Sequence, residues 1–359
     1  MENISSTSDS DAYQFGFKRG HSTAQCTSLL KRTVDYYSQR GSHVFAFIDF
    51  KKAFDSINYW KLFNKLIDDG INTGIVALLA FWYSHQEVSV RWHNVSSASF
   101  YIYNGTRQGV FSTILSQILF IRYIRELLQA IIDTRVGCNI GGVMMNVLAY
   151  ADDIVLLAPS WFALQTLLDV LDINIRQIDI TYNTSKTVCM VFKPICRQKV
   201  VCDEFPAFLL SGQYLQFVDK FKYLGHIVHH DNTDDYDIMR EIRNLYSRIN
   251  ILNRRFQRCS VDVVKLMLFK SYCMCLYDAA LWSKFNAGTI KKLRACYNKC
   301  IKIFFGYPRI HSVTAMLSDL GLPTLPSLLI KCQLSFREQG QNSANTVVRH
   351  FVNMFGHLF

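Results

Sequence analysis

No apolar run in this chain of 359 residues is long enough to cross a membrane. The stretch Ile75 to Tyr83 is the kind of segment that would have to, and it falls well short of the roughly 20 residues required. The first residues carry no basic region followed by an apolar one, so no secretory leader is predicted. There is no C-x-x-C, and no cysteine pair has a histidine at zinc-finger spacing. The 11 cysteines, scattered from Cys26 to Cys332, therefore read as reduced thiols of an intracellular protein, nuclear or cytoplasmic. No solenoid-type repeat and no long flexible linker is present, which excludes an array of stacked units. What remains is a chain with half its residues hydrophobic and 14% aromatic, long enough for two or three domains with real cores.

Acid is also scarce. There are 28 Asp and Glu against 39 Lys and Arg, a net charge of +11. The imbalance is local: residues 236–310 hold 15 basic and four acidic residues, so that segment alone accounts for +11 and the rest sums to zero. A basic domain joined to a neutral one fits nucleic-acid binding by the basic part. It fits equally a basic face that serves only solubility, and charge alone does not separate the two.

The stretch that organises the chain is Val147-Leu148-Ala149-Tyr150-Ala151-Asp152-Asp153-Ile154-Val155-Leu156-Leu157. Each apolar flank reads as a short buried strand. Two adjacent acids inside one core strand are costly without partners, which predicts a hairpin with Asp152 and Asp153 at its tip. Such a pair is either a solvated turn, where Asp is common, or a site for a hard divalent cation such as magnesium.

Along the chain, residues 1–11 read as disordered. Gln14-Phe15-Gly16-Phe17-Lys18-Arg19-Gly20 forms a glycine-punctuated basic turn, and Thr23 caps a helix to about Arg40. Val44 to Phe50 has a buried-strand pattern ending at Asp49, and a helix from Tyr59 to Ile67 follows. Ile75–Tyr83 reads as a buried helix, and Glu87–Trp92 with Ser99–Tyr103 as paired strands. Asn104 to Gly109 is a turn before an apolar helix around Leu115–Leu128, and Gly141-Gly142 turns into the central hairpin. Ser160 caps a helix carrying Trp161, Leu164, Leu168, Leu171 and Ile175. Thr187–Phe192 is a strand, and Phe217–Val228 a hairpin turning at Leu224-Gly225. From Ile238, apolar residues at Ile242, Leu245, Ile249 and Leu252 mark a helix whose outer face carries Arg240, Arg243 and Arg248. Asp55 reads as a helix cap.

Tyr150-Ala151-Asp152-Asp153 matches a Y/F-x-D-D signature, and Asp49-Phe50-Lys51-Lys52-Ala53-Phe54-Asp55 matches a D-x-x-K-A-F-D element. With Arg107-Gln108-Gly109, Lys186 before a strand, and a basic helical segment, the order resembles the reverse transcriptase of a non-LTR (LINE-type) retrotransposon, of the CR1/L2-like group. The matching stretches run from Gln14 to about Gly321.

The resemblance implies an α+β right-hand polymerase. A palm with an antiparallel sheet (44–235) would carry Asp49, Asp152 and Asp153, after truncated fingers (1–43) and before a mostly helical basic thumb (236–321) and a C-terminal extension (322–359). It implies RNA-directed DNA polymerisation with two magnesium ions, replaceable by manganese, held by Asp49 and Asp152 and supported by Asp153. Lys186 is implied as the general acid for pyrophosphate; otherwise it is a solvated loop lysine. Phe50, Phe54, Gln108, Gly109 and Tyr150 fall at the nucleotide site, with Phe54 excluding a 2′-hydroxyl; otherwise Phe54 is an ordinary core residue. Tyr223-Leu224-Gly225 matches the primer grip. Arg240, Arg243, Arg248, Arg254 and Arg255 would follow duplex phosphates. Tyr272, Trp282, Tyr297 and Tyr307 stack on bases or, more in keeping with their helical spacing, pack in a core.

The implied partners are an RNA template, a DNA primer, deoxynucleoside triphosphates and a separate endonuclease or fingers-containing protein, with no membrane. Two departures from the family pattern stand out. About three extra residues follow Gly109, with Gln117 where proline is expected, and the basic fingers element has no match beyond Lys18 and Arg19. They predict an excised or decayed copy of a longer element, and they keep open a non-catalytic nucleic-acid-binding remnant.

Overall fold

The computed structural model describes residues 9–40, 43–51, 53–105, 113–183, 186–194, 204–256, 259 and 262–356, with the side chains of 9, 43–51, 53, 55, 113, 114 and 182 outside that description. The chain divides into two compact units. The first comprises Met1–Cys26 and Thr33–Val218, the second Thr27–Arg32 and Asp219–Phe359.

The first unit is built on a sheet of β1 (His43–Lys51), β2 (Val147–Tyr150), β3 (Asp153–Ala158), β4 (Thr181–Tyr182), β5 (Val188–Phe192) and β6 (Gln216–Phe217). The order is β6-β5-β1-β3-β2, with β4 pairing the end of β1. All pairings are antiparallel except β5 with β6, which is parallel. The sheet is therefore mixed at its edge, and the expectation of a purely antiparallel sheet is corrected there. The reason is the route of the chain, which joins β6 to the edge only after a long excursion beyond β5. Strand β1 also runs two residues beyond Asp49, because Phe50 and Lys51 still find partners in Tyr182 and Thr181.

Strands β2 and β3 are buried almost throughout, from Val147 to Ala149 and from Ile154 to Ala158. This explains their near-continuous apolar sequence. Helix α1 (Thr23–Ser38) is capped by Ser22, whose side chain accepts from Gln25 N. Thr23 is thus the first helical residue and not the cap. Helix α2 (Tyr59–Asp68) buries Tyr59, Leu62, Phe63 and Leu66, the i, i+3, i+4, i+7 set of an amphipathic helix. Its cap is Asn58, whose Oδ1 accepts from Trp60 N and Lys61 N, so the capping role expected of Asp55 belongs to Asn58.

Helix α3 (Thr73–Ser84) departs further from expectation. It is not buried: only Val76 and Tyr83 are, while Leu78 is 67% and Phe81 63% exposed. Being apolar all round suggests a fully covered helix, but among the described residues its buried contact is with α2, where Tyr83 packs edge-on against Tyr59 at 5.0 Å. The strand pair beyond it is two nested short pairs, Glu87–Val88 with Phe100–Tyr101 and Arg91–Trp92 with Val95–Ser96. Helix α4 (Thr113–Asp133) buries Phe120, Tyr123, Ile124, Leu127 and Leu128, and α5 (Trp161–Gln177) follows its Ser160 cap.

The second unit opens with a hairpin, β7 (Lys220–Tyr223) and β8 (His226–His229), turning at Leu224-Gly225. Helices α6 (Asp235–Phe256), α7 (Asp262–Cys273), α8 (Ala287–Phe305), α9 (Val313–Asp319), α10 (Leu325–Gln341) and α11 (Thr346–Phe355) follow. The stripe Ile238, Ile242, Leu245, Ile249 and Leu252 of α6 is buried in one core with Phe269, Trp282, Tyr297, Cys300 and Phe304. Trp282 and Tyr297 are core residues, whereas Tyr272 is exposed. The described cysteines carry free thiols, and no helix among the described residues is long and apolar enough to cross a membrane.

Leu245→Ala should cost about 2–5 kcal/mol through lost burial and the cavity left behind. Ile251→Ala on the exposed side of α6 should stay within roughly 0.5 kcal/mol. Urea unfolding followed by circular dichroism measures both.

Candidate active site

The β2–β3 hairpin carries the acidic pair. Tyr150 and Asp153 are its last paired residues, so the turn consists of Ala151 and Asp152, and Asp153 already belongs to β3. Both acids are half-buried. The neighbouring β1 pairs with β3 from Val44–Ala158 to Asp49–Asp153. One register thus brings the positions of Asp49, Tyr150, Asp152 and Asp153 to the same end of the sheet.

The turn is strained. Ala151 has φ +58°, a conformation that favours glycine at the first position of a two-residue hairpin and costs another residue about 1–2 kcal/mol. Both peptide groups of Ala151 are nevertheless satisfied, by a side chain far away in sequence. Ala151 N donates to Gln14 Oε1 at 2.9 Å, and Gln14 Nε2 donates to Ala151 O at 3.2 Å. Gln14 Oε1 also accepts from Gly16 N at 2.8 Å. The backbone runs alongside, with Phe15 N donating to Ala149 O at 2.7 Å. Gly16 is required by this approach: a Cβ there would lie 2.4 Å from Ala151 N. Neither Gln14 nor Gly16 stood out in the sequence as a site residue. The only signal was a glycine two residues after a glutamine that turns out to be buried.

The remaining expected residues are more dispersed. Phe54, half-buried in the short 3-10 turn Ala53–Ser56, stacks on Phe120 at 4.5 Å and meets Phe17 edge-on at 6.0 Å. Phe50 is the Cα partner of Tyr182. Tyr150 is half-buried, and burial pushes its phenol pKa up. Lys186 is exposed in the turn leading into β5, which borders β1 on the side away from β3. Lys18 bonds to Asp11 O at 2.5 Å, and burial lowers its pKa. Gln108 and Gly109 lie outside the described residues.

In the second unit the Leu224-Gly225 turn has both residues in the left-handed region, φ +48° and +92°, as a two-residue hairpin of this type requires. Tyr223 beside it is buried. Tyr277 Oη donates to Leu224 O at 2.6 Å, and its ring leaves no room for a Cβ at Gly225. Beneath the hairpin lies a buried ionic network. Asp237 accepts from Ile227 N at 3.0 Å, Trp282 Nε1 at 2.8 Å and Arg240 at 2.7 and 3.1 Å. Glu241, fully buried, pairs with Arg240 at 3.1 Å and with Arg248. Asp234 pairs with Lys31 and accepts from Ser283 N and Lys284 N. His226 sits between Asp234, Asp237 and Asp278 at 3.3–3.7 Å. The basic outer face expected on α6 is thereby divided. Arg243, Arg254 and Arg255 are exposed, whereas Arg240 and Arg248 turn toward buried acids.

The family profile for reverse transcriptase (RNA-dependent DNA polymerase) matches residues 1–228. The chain belongs to the reverse transcriptase family. Over 181 residues it is 29% identical to the Retrovirus-related Pol polyprotein from type-2 retrotransposable element R2DM of Drosophila melanogaster, a match covering 50% of this chain and 17% of that protein. The chain thus corresponds to a small part of this relative's length. The retrotransposon resemblance read from the motifs is borne out by the two findings together. Among solved structures, telomerase from Candida albicans, in complex with the TWJ fragment of telomeric RNA, is similar at 12% identity and a TM-score of 0.43, over 90% of this chain and 56% of that one. Telomerase from Candida tropicalis, in the equivalent complex, is similar at 10% identity and a TM-score of 0.46, over 100% and 55%.

For a reverse transcriptase, a donor set made of carboxylates suits hard divalent cations such as magnesium. The backbone positions of Asp49, Asp152 and Asp153 lie at one end of the sheet. Among the described residues no three His, Cys, Asp or Glu side chains are grouped to hold a metal ion, and the side chain of Asp49 is not among them.

The network beneath the hairpin makes stability depend on pH. Burial, reinforced by the charge of Asp237, pushes the Asp278 carboxyl up to about 7 from 3.8. The folded chain therefore holds a proton there that the unfolded chain has released. The stability this confers is complete below about pH 4 and is lost as pH rises through about 7. At Asp234 burial raises the pKa, but the hydrogen bond from His226 and the charge of Lys31 outweigh it and hold the carboxyl at about 2. Its contribution is present above about pH 4 and lost as pH falls through 2. Urea denaturation at pH 5, 6, 7 and 8 should show stability falling with pH, with a shallower slope in Asp278→Asn.

Proposed function

We propose that this chain is the RNA-directed DNA polymerase domain of a non-LTR retrotransposon, transferring a nucleotidyl group from a deoxynucleoside triphosphate to a primer 3′-hydroxyl on an RNA template. The observation that carries the reading is the register in which Asp49 and Asp153 are opposed on β1 and β3, with Asp152 in the turn between β2 and β3. Directly opposed positions of antiparallel strands share one face of a sheet, so acids distant in sequence converge.

In this reading residues 44–235 form the palm, 236–321 the thumb and 322–359 an extension. Asp49 and Asp152 hold two magnesium ions, with manganese as a substitute, and Asp153 supports them. When bound, such a pair of ions clamps the attacking and leaving oxygens of an in-line displacement. Phe54, packed between Phe17 and Phe120, is held firmly enough to exclude a 2′-hydroxyl. Phe50, Tyr150, Gln108 and Gly109 line the nucleotide site, and Lys186 delivers a proton to the departing pyrophosphate. The Tyr223-Leu224-Gly225 turn bears on the primer strand. Arg243, Arg254 and Arg255 contact duplex phosphates, while Arg240 and Arg248 serve the hairpin's ionic support.

Primer extension on an oligo-RNA template with deoxynucleotides and magnesium should be lost in Asp152→Ala/Asp153→Ala. No extension by the unaltered chain, with salt-sensitive binding of the same duplex retained, would overturn the polymerase reading and leave a nucleic-acid-binding remnant. Phe54→Val should raise ribonucleotide incorporation relative to deoxynucleotide incorporation, as read by single-nucleotide extension. Each of Arg243→Ala, Arg254→Ala and Arg255→Ala should flatten the slope of log binding constant against log salt by up to about 0.9, the value per phosphate on B-form DNA.

A further inference from the structure

Gln14 belongs to no element that the polymerase reading uses, yet it is 1% exposed and its amide makes three hydrogen bonds, to the acidic turn and to its own loop. Its amide is oriented without ambiguity. Two N–H donors, from Ala151 and Gly16, converge on one terminal atom, which must be the oxygen. The other terminal atom faces the Ala151 carbonyl and must be the nitrogen. Among side chains that do not titrate, only a carboxamide offers an acceptor for two N–H groups and a donor for a carbonyl on one flat end. Asparagine is one methylene too short, and lysine accepts nothing.

The Ala151 conformation is one that an L-residue adopts only when its surroundings impose it, and the peptide that follows leads directly to Asp152. The orientation of the Ala151 carbonyl and the direction in which Asp152 leaves the backbone are coupled through that single peptide plane. A side chain that grips Ala151 at both N–H and C=O therefore sets where the Asp152 carboxylate can go. Gly16 lets the grip close, since a Cβ there would collide with Ala151 N, and the Phe15–Ala149 bond keeps the segment in line with β2.

We propose that Gln14 is a positioning residue for the acidic turn. It holds Ala151 in its left-handed conformation so that Asp152 presents its carboxylate to a divalent cation, and Gly16 is the steric condition for that hold. The inference rests on the polymerase reading for its consequence in catalysis and on the turn's geometry for its consequence in cation binding.

The test uses the full chain and two probes, manganese affinity by titration calorimetry and primer extension with magnesium. Gln14→Met removes all three hydrogen bonds at similar volume. It should weaken manganese binding and lower kcat by roughly 100-fold, the scale of a small misplacement of reacting groups. The Michaelis constant for the nucleotide and the affinity for the duplex should stay within about twofold. Gln14→Glu gives a sharper reading. Buried, its carboxyl resists ionisation, and while protonated it can accept both N–H groups and donate to the Ala151 carbonyl. Measured as a ratio to the unaltered chain between pH 6 and 9, the Gln14→Glu variant should approach parity at low pH and fall as pH rises. Gln14→Met should stay low throughout.

Gln14→Met with manganese affinity and kcat both within twofold of the unaltered chain would overturn the inference. So would equal impairment of both variants at every pH together with a lowered melting temperature, since that describes a general folding role. If the unaltered chain gives no Asp152-dependent extension, the polymerase reading fails by itself and manganese affinity decides this one. Affinity lost in Asp152→Ala and weakened in Gln14→Met sustains it; affinity equal in the unaltered chain and Gln14→Met, or absent from the unaltered chain, overturns it.

Discussion

The pairing of β1 with β3 extends without interruption from Val44–Ala158 to Asp49–Asp153, and the first unit depends on that register. A slip of one residue would carry every side chain of β1 to the opposite face of the sheet. It would bring Asp49 out of line with Asp153 and disturb the pairing of β1 with β5 and β4 on its other side. The register is pinned at the polar end of the pair, because a shift would draw the half-buried Asp153 toward the fully buried apolar run Ile154–Ala158. The stability of the sheet and the alignment of the Asp49 and Asp153 backbone positions come from the same hydrogen-bond ladder.

The second unit shows a different economy. Its helices bury a conventional apolar core, but the hairpin at Leu224-Gly225 rests on charge. Asp234, Asp237 and Glu241 are fully buried, which is tolerable only because each is paired and hydrogen-bonded. The pairing draws on Lys31, Arg240, Arg248, the indole of Trp282 and backbone N–H groups. Removing one partner leaves an uncompensated buried charge. The network thus ties the hairpin to α6 through Asp237 and Ile227, and it withdraws Arg240 and Arg248 from the surface that the charge count advertised.

Much of this was legible in the chain. The hairpin around Asp152 and Asp153, the amphipathic α2, the Ser160 cap, the Gly141-Gly142 turn and the α6 stripe all announce themselves by periodicity or by turn chemistry, which are local. The misreadings share one cause. Helix α3 reads as buried because it is apolar, but burial depends on what covers it, and of its residues only Val76 and Tyr83 are buried. Arg240 and Arg248 read as outward because they fall off the apolar stripe, but their long side chains bend back to Asp237 and Glu241 of α6 itself and to the carbonyls of Tyr272, Cys275 and Tyr277 that another segment supplies. The parallel edge strand β6 could not be foreseen, because its partner β5 ends at Phe192, far back along the chain from Gln216. Gln14 was invisible as a site residue because its role is a set of contacts 137 residues away in sequence.

By itself the sequence determined which residues carry chemistry and in what order they come. Motif spacing and strand periodicity sufficed to name Asp49, Asp152 and Asp153 and to identify the family, since these follow from covalent order and local backbone preference. Only the tertiary structure decided that Asp49 stands opposite Asp153, that a glutamine amide holds Ala151 in its left-handed turn, and which arginines face water. Each of those depends on distant segments meeting, and such meetings are governed by burial and hydrogen-bond satisfaction over the whole unit, which no local pattern encodes.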